Sequence, residues 1–328
     1  MKLVPEKSNT RAITEGAMLV GITVMLAFLN RYLPFLSLFL AIPVALVVVR
    51  HGFGFGLLAA TVTTLLLFAL TGISALIAAA DVVIAGLALG VAHRRFLQRP
   101  SVAFLVTAAG YVVAFLFIVY VAVAIMGVSD VTPSATIDSI LEMYDTMAEQ
   151  MSEFGAPVSA IDTGMMRPYL MMSIPALVCL SAAGNAAISF WIFRKVLRRF
   201  RVQLADIPPF RRWRLGWTYG WGFVLGFLLV TLGGLRGIEL LTRIGLNLFL
   251  VFYMVFMVQG LAVIVYYFAR WQVPSGVKAL LVVFGMFFGV VQLAFVATPW
   301  IGVLDAWLDF RKLEVSSDES DPDRRPQG

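Results

Sequence analysis

The chain is poor in charge, poor in histidine and nearly without cysteine. Of its 328 residues only 13% are charged, 60% are hydrophobic, and the mean hydropathy is +0.91. A soluble domain carries about a quarter charged residues. So few charges cannot cover a water-soluble surface, which excludes a soluble enzyme, a DNA-binding domain and a disordered chain. Cys179 is the single cysteine and lies in an apolar run, so an internal disulfide and a cysteine-based metal site are excluded. His51 and His93 are the two histidines, each bordering an apolar run beside arginines, which makes a metal site a poor expectation. The sequence has no G-x-x-x-x-G-K-[ST], no H-E-x-x-H and no G-x-S-x-G. It therefore offers no P-loop, no zinc-protease pair and no nucleophile elbow. No catalytic residue, cofactor or metal ligand is expected, and the chain does not read as an enzyme.

What the sequence has is long apolar runs. They cover 14–33, 35–49, 53–70, 73–92, 102–128, 169–193, 215–235, 244–268 and 277–301. A helical span needs about 20 apolar residues. The expected fold is all-α, a polytopic transmembrane helical bundle of about nine spans, or eight if the short second run with Pro43 does not cross. The domain reading is a tail over 1–13, a six-helix half over 14–193, a basic linker over 194–214, a three-helix extension over 215–301 and a disordered polar tail over 302–328. No small-x-small cleavage site follows the first run, so it is read as a span and not as a signal peptide.

The net charge of +6 would suggest nucleic acid in a soluble protein. Here the bases sit in loops, where they set orientation, and no nucleic-acid partner is expected. With the N-terminus in the cytoplasm, seventeen loop bases fall inside and four outside. Eight of them lie in 194–214, with Asp206 the one acid there. Nine spans would then put the C-terminus outside; an even number would flip it. The loop 129–168 carries seven acids and one base, Arg167, and falls outside. Within it Ile137, Ile140, Leu141, Tyr144, Met147, Ala148, Met151 and Phe154 recur at spacings of three and four, which predicts an amphipathic helix over about 134–154. It lies on the outer face with its stripe buried, acts as a lid over an outward-facing cavity, or makes a dimer contact.

Ionisable residues at membrane depth are the default site candidates, because each is costly unless paired or hydrated. Asp81, within the fourth run, could bind a cationic group or relay a proton; the bland alternative is a cap on a helix starting near Ala79, with 72–80 an irregular loop. Asn30 and Arg31 end the first run; Arg31 either snorkels to the interface or meets an anionic ligand. Asn185 in the sixth run most simply makes an interhelical hydrogen bond. These four are the ligand-binding candidates, for a small molecule the sequence does not name. Ala17-x-x-x-Gly21 places small residues four apart, either for packing within the chain or for a partner helix. Arg198, Arg199 and Arg201 are the candidate contacts of the basic segment.

The stretch Pro34-Phe35-Leu36-Ser37 through Ile42-Pro43, followed by Arg50-His51-Gly52-Phe53-Gly54-Phe55-Gly56-Leu57-Leu58-Ala59, resembles the start of S components of energy-coupling-factor vitamin transporters. The wider pattern, with the acidic outer helix, Asn185–Phe190, Arg194–Arg201 and Ile207-Pro208-Pro209-Phe210-Arg211-Arg212-Trp213-Arg214, more closely resembles the YybS-like family, bacterial membrane proteins of unknown function. The S-component resemblance implies that Ala17 and Gly21 contact a transmembrane coupling subunit, that ATPases are separate partners, and that ligand enters an outer cavity. Three added spans and the long acidic helix depart from that pattern. The expectation is a transport-related, ligand-binding component of the bacterial inner membrane with no ATPase of its own. The alternative is a non-transport scaffold that binds a cytoplasmic partner or anionic lipid through 194–214.

Overall fold

A computed structural model of the chain describes residues 9–128, 132–153, 163–287 and 290–312. Among the described residues the regular structure is helical throughout. Seven stretches are long and apolar enough to cross a membrane. The chain forms two compact units that divide between Ile207 and Pro208. The division falls inside the segment 194–214 that the sequence suggested as a linker, and residues up to Arg199 continue a helix.

In the first unit, α1 (Asn9–Leu29), α2 (Ser37–His51) and α3 (Phe53–Thr71) pack on one another. A 3-10 turn over Pro34–Leu36 extends the short second run to an 18-residue span. Every residue from Leu40 to Val48 is buried, so α2 is the central helix, which its all-apolar sequence allows. Pro43 is accommodated inside it. After α3 the chain turns at Gly72, whose φ of 66° suits a residue without Cβ. The return leg is helical along its whole length: a 3-10 turn Gly72–Ser74, α4 (Ala75–Ala79), a π-helical segment Ala80–Ala85 and α5 (Gly86–Arg95). The irregular loop expected over 72–80 is therefore not present, and Asp81 caps no helix. Ala60 and Leu67 of α3 cluster with Ala75 and Val82, as antiparallel legs must. Then come α6 (Pro100–Tyr120), continued by a π segment to Ile125, the helix α7 (Pro133–Glu153) and α8 (Thr163–Arg199).

α7 is the amphipathic helix foreseen from the sequence. Ile137 and Leu141 are buried, and the helix packs chiefly on α8. Ile140, Met143 and Met147 stay exposed, so the stripe is only half covered. The side chains of Met151 and Phe154 lie outside the described residues.

In the second unit, α9 (Gly220–Arg236) and α10 (Glu239–Arg270) form a tight antiparallel pair. A Cβ on Gly226 would stand 2.6 Å from the Phe249 backbone, and one on Gly245 2.5 Å from that of Val230, so glycine is what lets the two backbones approach. The last apolar run departs from expectation. It forms two helices, α11 (Ser275–Phe287) and α12 (Val290–Leu308), where a single span over 277–301 was foreseen. α12 lies parallel to α10: Tyr253 Oη donates to the Phe295 carbonyl at 3.0 Å, Gln259 Nε2 to Asp305 at 3.2 Å, and Tyr266 Oη to the Arg311 carbonyl at 3.1 Å. The chain thus returns to the end of the unit from which α9 departs. This puts two helices after α10 where the count of three crossings after residue 214 had one. It also corrects the polar tail over 302–328, since helix continues to Leu308 and both Asp305 and Arg311 are buried.

Candidate functional site

Asp81 occupies the second position of the π-helical segment, six residues past the start of α4. At 1.5 Å per residue it sits about 9 Å past the start of α4, in the first half of the return leg and nearer its centre than its end. The neighbouring Ala80 and Val82 are fully buried and Asp81 is half-buried. The segment packs against α2, α3 and α6. A π segment widens one turn and displaces the side chains it carries, and such segments recur at functional sites.

A buried polar chain runs beside it. Ser189 Oγ of α8 donates to the Leu38 carbonyl of α2 at 3.2 Å, so Tyr111 Oη of α6 donates to Ser189 Oγ at 2.6 Å. That chain is complete and ties three helices together. Asp81 is close enough for its charge to act on the Tyr111 phenol, but its own carboxylate has no hydrogen bond or ion pair among the described residues. A lone carboxylate at membrane depth is costly, about 2.5–3.5 kcal/mol on insertion scales.

The other candidates separate. Asn30 lies just past the end of α1, whose Ala27 belongs to the same apolar cluster as Val82. Asn30 Oδ1 is buried and accepts no hydrogen bond. Arg31 is exposed. Asn185 is exposed and its Nδ2 donates to Ser181 of its own helix at 3.0 Å, so the interhelical bond expected of it is not made. No hydrogen bond or ion pair joins these four residues to one another among the described residues.

Ala17 and Gly21 are exposed, and a Cβ on Gly21 would meet nothing within 4 Å. No described residue of the first unit packs closely on Gly21. Arg198 bridges Asp206 at 3.2 Å, while Arg199 and Arg201 are exposed and unpaired among the described residues.

The amphipathic helix α7 carries a second candidate. Asp138, Glu142, Asp145 and Glu149 line one groove of about 460 Å³ with Arg167 of α8. Arg167 grips Asp138 with two hydrogen bonds, of 2.7 and 3.1 Å. That hydrogen bond and the guanidinium charge hold the exposed Asp138 carboxyl below its ordinary range.

Comparison with known proteins accords with this architecture. The family model described as "Predicted membrane protein (DUF2232)" matches residues 21–306. The chain belongs to the DUF2232 family. It is also similar to the "Uncharacterized protein YybS" of Bacillus subtilis (strain 168), 24% identical over 312 residues, which is 92% of this chain and 98% of that one. No solved structure matches. These findings place the DUF2232 chain as a predicted membrane protein and bring no likeness to energy-coupling S components.

Sequence reasoning did not find the Tyr111–Ser189 chain, because single polar residues in apolar runs give no signal of partnership. It also did not find the second unit's buried pair. Arg311 donates to Asp305 at 2.7 Å and to the carbonyls of Arg211 and Trp213 at 2.9 and 2.7 Å, and both side chains are fully buried. Gln259 links that pair to the Leu215 amide, which it accepts at 2.9 Å. Every strong polar group of the pair is thereby used, which marks it as a structural lock.

Proposed function

We propose that this chain is a transport-related, ligand-binding component of the bacterial inner membrane, without an ATPase of its own. Its ligand carries a cationic group that pairs with Asp81. The observation that carries this reading is the unpartnered Asp81 carboxylate, held at membrane depth on a π-helical segment. A bound cation offsets the cost of burying that charge. The Asn30 Oδ1 just past the end of α1, buried and without a partner among the described residues, suits a donor on a ligand that reaches both groups. The N-terminus faces the cytoplasm, by the excess of bases in the inside loops. Asp81 then lies in the outer half of its leg, and ligand reaches it from outside. The exposed Ala17–Gly21 face of α1 is the contact for a coupling subunit, which brings ATPases.

The test is purification of the full chain from its native host in mild detergent, with mass spectrometry of retained small molecules and proteins. A cationic metabolite retained by the wild type and lost from an Asp81→Asn variant of unchanged thermal stability is expected, together with an ATPase pair. An identical set of retained molecules in both proteins removes Asp81 from the site and with it this reading.

A further inference from the structure

We propose that the basic end of the first unit binds the headgroup of an anionic phospholipid, between the α5–α6 connection and the end of α8. This is independent of the ligand reading at Asp81, which lies in the other half of the same leg.

Two segments distant in sequence meet there. α5 ends in Arg94 and Arg95, and Arg99 precedes α6. α8 ends in Arg198 and Arg199, followed by Arg201. The Ala205 amide donates to the Leu97 carbonyl at 3.4 Å, and Arg194 donates to the Ala205 carbonyl. Ile207, Phe96 and Phe104 all pack on one buried cluster of Ala92, Ala103 and Phe190. Residues 95–99 and 199–207 therefore run side by side.

The charges do not cancel. Glu15 is occupied by Arg50 at 3.1 Å and His51 at 2.9 Å, and Asp206 by Arg198. Arg94 donates to the Val48 carbonyl at 2.9 Å. Arg95, Arg99, Arg199 and Arg201 remain exposed, with no hydrogen bond, ion pair or ring partner for their side chains among the described residues. Four free guanidinium forks from two adjoining segments match a phosphate diester in charge and in geometry.

A lipid is favoured over a soluble anion because the patch crowns the ends of membrane-spanning legs. Beside it the Lys195 ammonium lies 3.4 Å over the exposed Trp191 ring, an amphipathic pair suited to headgroup level. Exposed Leu105, farther along α6, leaves apolar surface for acyl chains. Orientation rules count bases on one side and do not require them to converge, so topology alone leaves this arrangement unexplained.

Native mass spectrometry of the full chain, incubated with equal amounts of phosphatidylglycerol and phosphatidylcholine, tests the site. Basic residues near an anionic surface each contribute enough that about tenfold selectivity for phosphatidylglycerol is expected of the wild type. Arg95→Gln with Arg99→Gln, and separately Arg199→Gln with Arg201→Gln, should each remove most of it. Arg211→Gln with Arg212→Gln, which takes the same charge from the second unit, should leave it within about twofold. Should a pair invert in the membrane, lysine replacements keep the charge and are expected to lose selectivity severalfold, because the fork is lost. No selectivity in the wild type, or equal loss in all three double variants, overturns the proposal. So does capture of an acidic soluble protein by these arginines without lipid selectivity.

Discussion

Arg311 and Asp305 show how much one residue can hold. Both side chains are wholly buried, and the guanidinium bonds to the Asp305 carboxylate and to two backbone carbonyls that precede α9. Removing one partner leaves the other charged, buried and unpaired. Arg311→Ala should therefore cost about 3–5 kcal/mol, read as a lowered unfolding midpoint in detergent. Replacing both, Asp305→Leu with Arg311→Met, should cost less than either single change. A result in which the single change is silent would mean that water reaches the pair. At Gly260 a Cβ would stand 2.0 Å from the Thr298 carbonyl, so Gly260→Ala must push α12 from α10 and should cost about 1–3 kcal/mol. Gly21→Ala has open space around it, and the same unfolding assay should find it neutral or slightly stabilising.

At the scale of elements, α7 is attached mainly to a single neighbour. It packs chiefly on α8, and the Asp138–Arg167 pair that joins them is exposed. The Asp138 carboxyl titrates below its ordinary value because Arg167 binds the charged form. Its contribution is therefore present at neutral pH and is lost as pH falls through that lowered value. Protection factors across 133–153, taken relative to the intrinsic exchange rate at each pH, should be unchanged between pH 7 and 5 and fall only below about pH 4. Arg167→Ala should raise exchange in α7 at neutral pH while leaving α10 unaffected; equal protection in the variant would mean that Ile137 and Leu141 hold the helix alone. The periodicity of α7 was readable because one face of a helix in water must be apolar and the other polar. The π segment at Asp81 was not, since a one-residue widening inside a uniformly apolar run changes neither hydropathy nor period enough to see.

At the scale of the whole molecule, the path of the last helices decides which side the C-terminal end occupies. In a Cys179→Ser background, Arg212→Cys and Gln327→Cys should react with an impermeant thiol reagent from the same side of a sealed vesicle. Reaction from opposite sides would restore an odd number of crossings after residue 214. The sequence by itself determined the membrane class, the helical fold, the helical legs of the first unit and the amphipathic helix α7. Hydrophobic run length and period are local properties, and water and lipid read them locally. It also made Asp81, Asn30 and the basic loops visible as residues that cost energy in an apolar setting. Only the tertiary structure decided that Asn185 faces outward, that Arg198 is paired while Arg199 and Arg201 are free, and that α12 lies parallel to α10. Those outcomes depend on which distant backbone carbonyl or carboxylate comes within hydrogen-bond reach, and on where glycine lets two helices close. Neither property is written in the composition or period of any one segment.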